Sequence, residues 1–326
     1  MSLPLEEIRG HPAWSTVIEL QTPNWQGVAP VAKNRSGGPI NIAYEVHGTG
    51  PIHTVVRLPR STMFPGHEHK DKYTSLVFDN RGVGNSDKPY ARYSTSEMAK
   101  DVIDLLQHVG WTDPNQLHVI GVSMGGMIAQ ELAFLIPERI ASLCLQSTAA
   151  CLVNSIPWYK HLYRRAYMLL PKSLPARLAA TQENIFAAAW LKAPDDLGLF
   201  PTNSDRYVAE ELWRVENLPP PVYQGFLLQG LAVSWHYMGP ERLKVLGGRI
   251  RHILVCTGDL DAMIECKHSD VLVRGISAGG RVTKRVFEGS GHALHFECAR
   301  EYNCMIEEFV TAAHEDGKGA TINRWV

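Results

Sequence analysis

His118-Val-Ile-Gly-Val-Ser-Met-Gly-Gly-Met-Ile-Ala-Gln130 sets one serine, Ser123, between glycines at the point where an apolar run changes its hydrophobic period. Before it, Leu117 to Gly121 is a short continuous apolar run of the kind that forms a buried strand. After it, Met124 to Ile136 reads as a helix ended by Pro137. A serine on a tight turn from strand to helix stands exposed at the carboxyl edge of a sheet, with a helix N-terminus beneath it that favours negative charge. Gly121 and Gly125 answer to the same packing, because side chains there would collide where strand and helix close around the turn. Gly121-Val-Ser-Met-Gly125 thus reads as a G-x-S-x-G nucleophile turn, against the alternative of a purely structural one.

The elements around this junction extend the pattern. Gly27 to Lys33, Ile40 to His47, His53 to Leu58 and Ser75 to Asp79 read as strands. Ser94-Thr-Ser-Glu97 is a capping box, and Met98, Val102, Leu105, Leu106 and Val109 follow at helical spacing, so a helix runs from Ser94 to Gly110. Ile140 to Gln146, Ile250 to Thr257 and Arg281 to Glu288 are strand-like, and Cys298 to His314 is helical. This alternation predicts an α/β fold, a mostly parallel, doubly wound sheet with helices on its faces. Between about Ala150 and Gly247 no strand reads, and helix formers, prolines and four of the eight tryptophans (Trp158, Trp190, Trp213, Trp235) indicate a helical cap after the sixth strand. The expected division is 1–149 for the first part of the core, 150–247 for the cap and 248–326 for the rest of the core.

Composition narrows the function classes. The 326 residues include 32 Lys+Arg against 33 Asp+Glu, so no broad basic field exists to hold nucleic acid. No stretch reaches the roughly 18 uninterrupted apolar residues of a membrane helix, and Met1 to Gly10 carries acids where a secretion signal would be basic. The expectation is a soluble, cytoplasmic chain. Its six cysteines (Cys144, Cys151, Cys256, Cys266, Cys298, Cys304) show neither C-x-x-C nor zinc-like spacing and read as reduced thiols. His67 and His69 flank Glu68, but two histidines without a third ligand read as a solvated loop, not a metal site.

A serine hydroxyl needs a base to take its proton and an acid to orient that base. Thr257-Gly-Asp-Leu-Asp-Ala-Met-Ile264 follows an apolar strand and delivers a carboxylate to the same sheet edge as Ser123. Glu288-Gly-Ser-Gly-His292 follows the last strand and sets a histidine in a glycine-rich loop. The chain order Ser, Asp, His is the one this architecture uses. Asp259 and Asp261 compete for the acid, with Asp259 read as a solvated turn residue. His292 is the expected base, and His295, three residues on, is read as a packed neighbour in a helix.

With these residues in place the chain resembles the α/β-hydrolase superfamily over most of its length. Asp79-Asn-Arg-Gly-Val-Gly-Asn-Ser86 is similar to the family's D-x-R-G-x-G-x-S turn, Ser123 to its nucleophile, Pro137-Glu-Arg-Ile140 to the lead into the next strand, and Gly291-His292 to Glu297 to its histidine loop. The elbow and the PERI segment resemble the branch of enol-lactonases, non-haem perhydrolases, carboxylesterases and C–C hydrolases. The resemblance implies a Ser123–His292–Asp261 triad, Asp261 standing in the family's G-x-x-D. It also implies an oxyanion hole made of the Met124 N–H and one donor from the loop after the third strand.

That loop departs from the family pattern. Between Ile52 and Lys72 the usual small glycine motif is missing, Pro59 has no N–H to donate, and Arg60 or Ser61 is left as the second donor. A working shortened loop, a protein that lost catalysis and an error in the gene sequence here are the open readings. The expected activity is hydrolysis of a carboxylic ester, lactone or thioester, the alternatives being a ligand-binding member of the fold or a C–C hydrolase with the same triad. The expected partner is a small, moderately apolar ester-like molecule; aromatics such as Trp158, Tyr159, Trp190 and Trp235 either line an apolar pocket over Ser123 or, the commoner case for any one of them, pack cap helices onto the core. None of these chemistries calls for a metal, nucleotide or other cofactor.

Overall fold

The computed structural model describes residues 3–18, 21–35, 37–57, 69–152, 172–218, 220 and 222–317. Strands β1 (Trp25–Val31), β2 (Ile40–His47), β3 (Ile52–Arg57), β4 (Tyr73–Phe78), β5 (Leu117–Val122), β6 (Ile140–Gln146), β7 (Ile253–Gly258) and β8 (Thr283–Phe287) form one sheet. Their order is β1-β2-β4-β3-β5-β6-β7-β8. Only the β1–β2 and β2–β4 pairs are antiparallel; from β4 to β8 every pairing is parallel. The parallel crossovers place helices on both faces, as expected from the alternating pattern.

The strand residues sort between two cores by period two. Val119, Leu143, Leu145 and Val255 join one cluster, with Met98, Val102, Leu105 and Leu106 of α2 (Thr95–His108) and Ile128 and Leu132 of α3 (Met124–Leu135). Ile120, Val122, Cys144, Leu254 and Cys256 join the other, under Tyr302, Ile306 and Val310 of α11 (Ala299–Gly317). The N-cap of α2 is Ser94, whose hydroxyl accepts the Glu97 N–H at 3.1 Å. Arg81, fully buried in the turn after β4, makes a two-pronged ion pair with Asp101 of α2 at 2.6 and 2.7 Å.

Past β6 the chain leaves the sheet for α4 (Leu174–Ile185), α5 (Ala188–Lys192), α6 (Asn203–Asn217) and α7 (Tyr223–Ser234). Leu178, Phe186, Phe200, Tyr207, Val208 and Leu212 give this cap its own apolar cluster. Two details differ from the sequence reading. Residues 3–18, expected with the core, pack on the cap: Ile8 of α1 (Leu5–Arg9) and Val17 join its cluster, the Leu3 N–H donates to Asp205 at 2.7 Å, and Arg9 pairs with Glu216 at 2.8 Å. Helix α8 (Pro240–Arg249), expected mostly within the cap, packs Leu243 and Leu246 into the sheet core against α9 (Lys267–Ser277). Both differences concern amphipathic helices, whose periodicity does not say which apolar surface they meet.

Candidate active site

Ser123 joins β5 to α3 with φ +55° and ψ −122°, a left-handed conformation that costs a non-glycine residue strain. The fold holds it there. The Ser123 N–H donates to the Gln146 carbonyl at 3.0 Å, and the Ser123 carbonyl accepts the Gly126 N–H at 3.0 Å and the Thr148 hydroxyl at 2.7 Å. A Cβ on Gly121 would stand 2.5 Å from the Gly125 carbonyl oxygen, and one on Gly126 would stand 2.6 Å from the Thr148 side chain. Gly126, just past the motif, is therefore as necessary as Gly121, which opens it. Met124, the first residue of α3, presents one of the N–H groups that a helix leaves without an intrahelical partner. Arg60 and Ser61, and with them the second oxyanion donor, lie outside the described residues, as do Trp158, Tyr159, His67 and Glu68.

Asp261 and His292 meet. Asp261 Oδ2 lies 2.8 Å from His292 Nδ1, and Asp261 Oδ1 accepts the N–H groups of Met263 at 2.9 Å and Ile264 at 2.8 Å. Both side chains are buried, 4% and 5% exposed, so their bond is little diluted by water. The competing Asp259 is exposed and accepts the Ser290 N–H at 3.3 Å, a turn contact. His295, in α10 (Leu294–Glu297), lies below the edge with Nδ1 3.3 Å from Gln146 Nε2. Burial, aided by the nearby His292, pushes its pKa down to about 3, so it is neutral and packed.

The loops that carry these residues share one anchor. Ser147 and Thr148 follow β6, Ser147 with φ +45°. The Thr148 hydroxyl holds the Ser123 carbonyl, and the Ser147 hydroxyl donates to the His292 carbonyl at 2.9 Å. Adjacent residues thus tie the serine turn and the histidine loop to the same strand end.

Comparison with known proteins agrees with this architecture. The sequence pattern of the alpha/beta hydrolase fold family matches residues 48–299. This chain belongs to the α/β-hydrolase family. The RutD protein of Azorhizobium caulinodans, named as a candidate carbamate hydrolase, is 28% identical over 249 residues, 74% of this chain and 84% of its own. The 3-oxoadipate enol-lactonase 2 of Acinetobacter baylyi is 36% identical over 89 residues, 27% of this chain and 32% of its own. Among solved structures, a thermophilic esterase from Thermogutta terrifontis superposes with a TM-score of 0.68 at 20% identity, covering 89% of this chain and 99% of its own.

In this α/β hydrolase the Ser147–Thr148 anchor is a part of the site that the sequence analysis did not single out. A signal was present: a mostly apolar buried strand runs out into three consecutive polar residues, Gln146, Ser147 and Thr148. No helix among the described residues is long and apolar enough to cross a membrane, and none of their His, Cys, Asp and Glu side chains group to hold a metal ion.

Proposed function

We propose that this α/β hydrolase cleaves a carboxylic ester, lactone or thioester through a Ser123–His292–Asp261 triad. The observation that carries the reading is the buried 2.8 Å contact between Asp261 Oδ2 and His292 Nδ1, with the other carboxylate oxygen held by two backbone N–H groups. An acid so held orients the imidazole with Nδ1–H toward itself, leaving Nε2 as the base.

Ser123 Oγ attacks the substrate carbonyl carbon while His292 Nε2 takes its proton, and the new oxyanion accepts the Met124 N–H at the start of α3. Collapse expels the alkoxide or thiolate, which takes the proton from His292. Water then attacks the acyl-enzyme, gives its proton to His292, and the second collapse returns that proton to Ser123 and frees the acid. Asp261 stabilises the imidazolium at both stages without itself being protonated. The names of the carbamate hydrolase and enol-lactonase relatives support acyl chemistry.

A fluorophosphonate probe tests the reading without a known substrate, since it phosphonylates an activated serine far faster than an ordinary one. Labelling should be confined to Ser123 and absent from Ser123→Ala. A cooperatively folded wild-type protein that takes up no probe would sink the proposal and favour a binding role.

A further inference from the structure

Five residues after His292, Glu297 ends α10 with its carboxylate turned back on the loop that precedes it. It accepts the Gly291 N–H on both oxygens, at 2.9 and 3.0 Å, and the Ala187 N–H on Oε2 at 2.9 Å. Ala187 belongs to the cap, in the short link between α4 and α5. A second tie runs parallel to the first: the His292 N–H donates to the Ile185 carbonyl at 2.7 Å. The two backbones touch here, since a Cβ on Gly291 would stand 2.6 Å from the Ile185 oxygen and 2.9 Å from the Ala187 nitrogen.

Between the tied residues Phe186 is buried, stacked on Trp190 at 4.9 Å and edge-on to Phe296 at 5.7 Å. Phe296 immediately precedes Glu297. One cap link and one histidine loop are thus joined by a carboxylate, a backbone bond and a ring contact.

Glu297 is costly to bury. Among the described residues it makes no ion pair, and burial, with Asp261 nearby, pushes its carboxyl above the ordinary range despite the backbone donors. A carboxylate can do here what an amide of the same size cannot: both of its oxygens accept, so it holds Gly291 and Ala187 at once with no N–H₂ facing a backbone donor.

We propose that Glu297 is a positioning residue that locks the His292 loop to residues 185–187 of the cap, so that seating of the cap sets the alignment of the base. The inference rests on the triad reading above. It makes the cap part of the base's support.

The test uses the full chain as wild type, Glu297→Gln, Glu297→Asp and Ala187→Pro, with active sites titrated by fluorophosphonate and turnover measured on p-nitrophenyl acetate and p-nitrophenyl butyrate. Glutamine keeps the size but turns an N–H₂ toward one of the two donors. Ala187→Pro deletes the cap-side N–H at φ −66°, a value proline adopts, after a residue already extended. Either change should lower kcat per titrated site by about 10- to 100-fold with KM within about twofold, the cost of a base held out of line. The double variant should lose no more than the worse single one, because both break the same tie. Glu297→Asp, which keeps two acceptors, should recover part of the loss.

A purely structural role would instead lower the number of titratable sites and leave kcat per site unchanged, which overturns the proposal. If Glu297→Gln does not fold, Ala187→Pro decides alone, and wild-type kcat per site in it is the overturning result. Wild-type protein that fails to label at Ser123 overturns the triad reading and this one together; a labelled wild type with an equally active Glu297→Gln overturns this one only.

Discussion

The Ser147 hydroxyl donates to the His292 carbonyl across 145 positions of chain, at 2.9 Å and out of water. Its neighbour Thr148 does the same for Ser123. A buried carbonyl deprived of its donor costs about 1–3 kcal/mol. The Ser147→Ala variant should therefore lose about that much stability in urea unfolding and turn over esters more slowly per titrated site. Unchanged turnover would show that the histidine loop does not depend on this anchor.

Asp261→Asn keeps the shape of the acid but can turn an N–H₂ toward His292 and stabilise the wrong tautomer. Turnover should fall by about 10⁴-fold while the far-ultraviolet spectrum stays that of the wild type. Asp259→Asn should change turnover less than twofold, since its carboxylate only accepts the Ser290 N–H in an exposed turn. The reverse ranking would reassign the acid.

Asp101 neutralises Arg81, which is fully buried, and also pairs with Arg35 at 2.8 Å. Asp101→Ala leaves a guanidinium buried without its main counter-charge and should destabilise the fold by about 3–5 kcal/mol. Chemical unfolding at neutral pH reads this directly.

Ile8 is completely buried between the N-terminal segment and the cap. Ile8→Ala should cost about 2–5 kcal/mol of local packing and expose the cap first. Limited proteolysis should then cut within 174–217 sooner than within β5 to β7. Equal protection of the cap in wild type and variant would show that residues 3–18 do not brace it.

His118 at the start of β5 is fully buried, with Nδ1 2.9 Å from the Ser142 hydroxyl. Burial, with His314, His252 and His53 nearby, lowers its pKa to about 3, and burial lowers that of His236 to about 4. Folded values below the unfolded value near 6.5 mean that the native state excludes the proton the unfolded chain accepts. Stability from these two groups is thus complete above about pH 6.5 and falls as the pH drops toward 4 and 3. Urea midpoints should decline over that window, and His118→Asn should flatten the decline. An identical slope in the variant would exclude His118 as a source.

Much of the fold is written in local sequence pattern. The turn at Ser123, the Ser94 cap and the strands β2 and β6 lie where local pattern puts them, because each is set by spacing over a dozen residues or fewer. Strand ends elsewhere shift by one to three residues, as at β1 and β7, where apolar residues continue into the flanking loops.

The contacts that organise the site have no such local signature. Serine beside threonine after a strand is common, and only the parallel pairing of β6 with β5 and β7 sets Ser147 and Thr148 between the serine turn and the histidine loop. Glu297 closes the histidine-loop segment in the sequence, and nothing local to it tells that the cap link comes within 3 Å of it. The N-terminal segment likewise carries an apolar stripe that could have met either the sheet or the cap. Sequence by itself determined the elements, their layering and the residue types offered to the chemistry, since hydrophobic period and turn chemistry act over short range. Tertiary structure decided which carboxylate meets His292 and which loops share an anchor, because these bonds join residues from 25 to 145 positions apart and exist only once the core has brought them together.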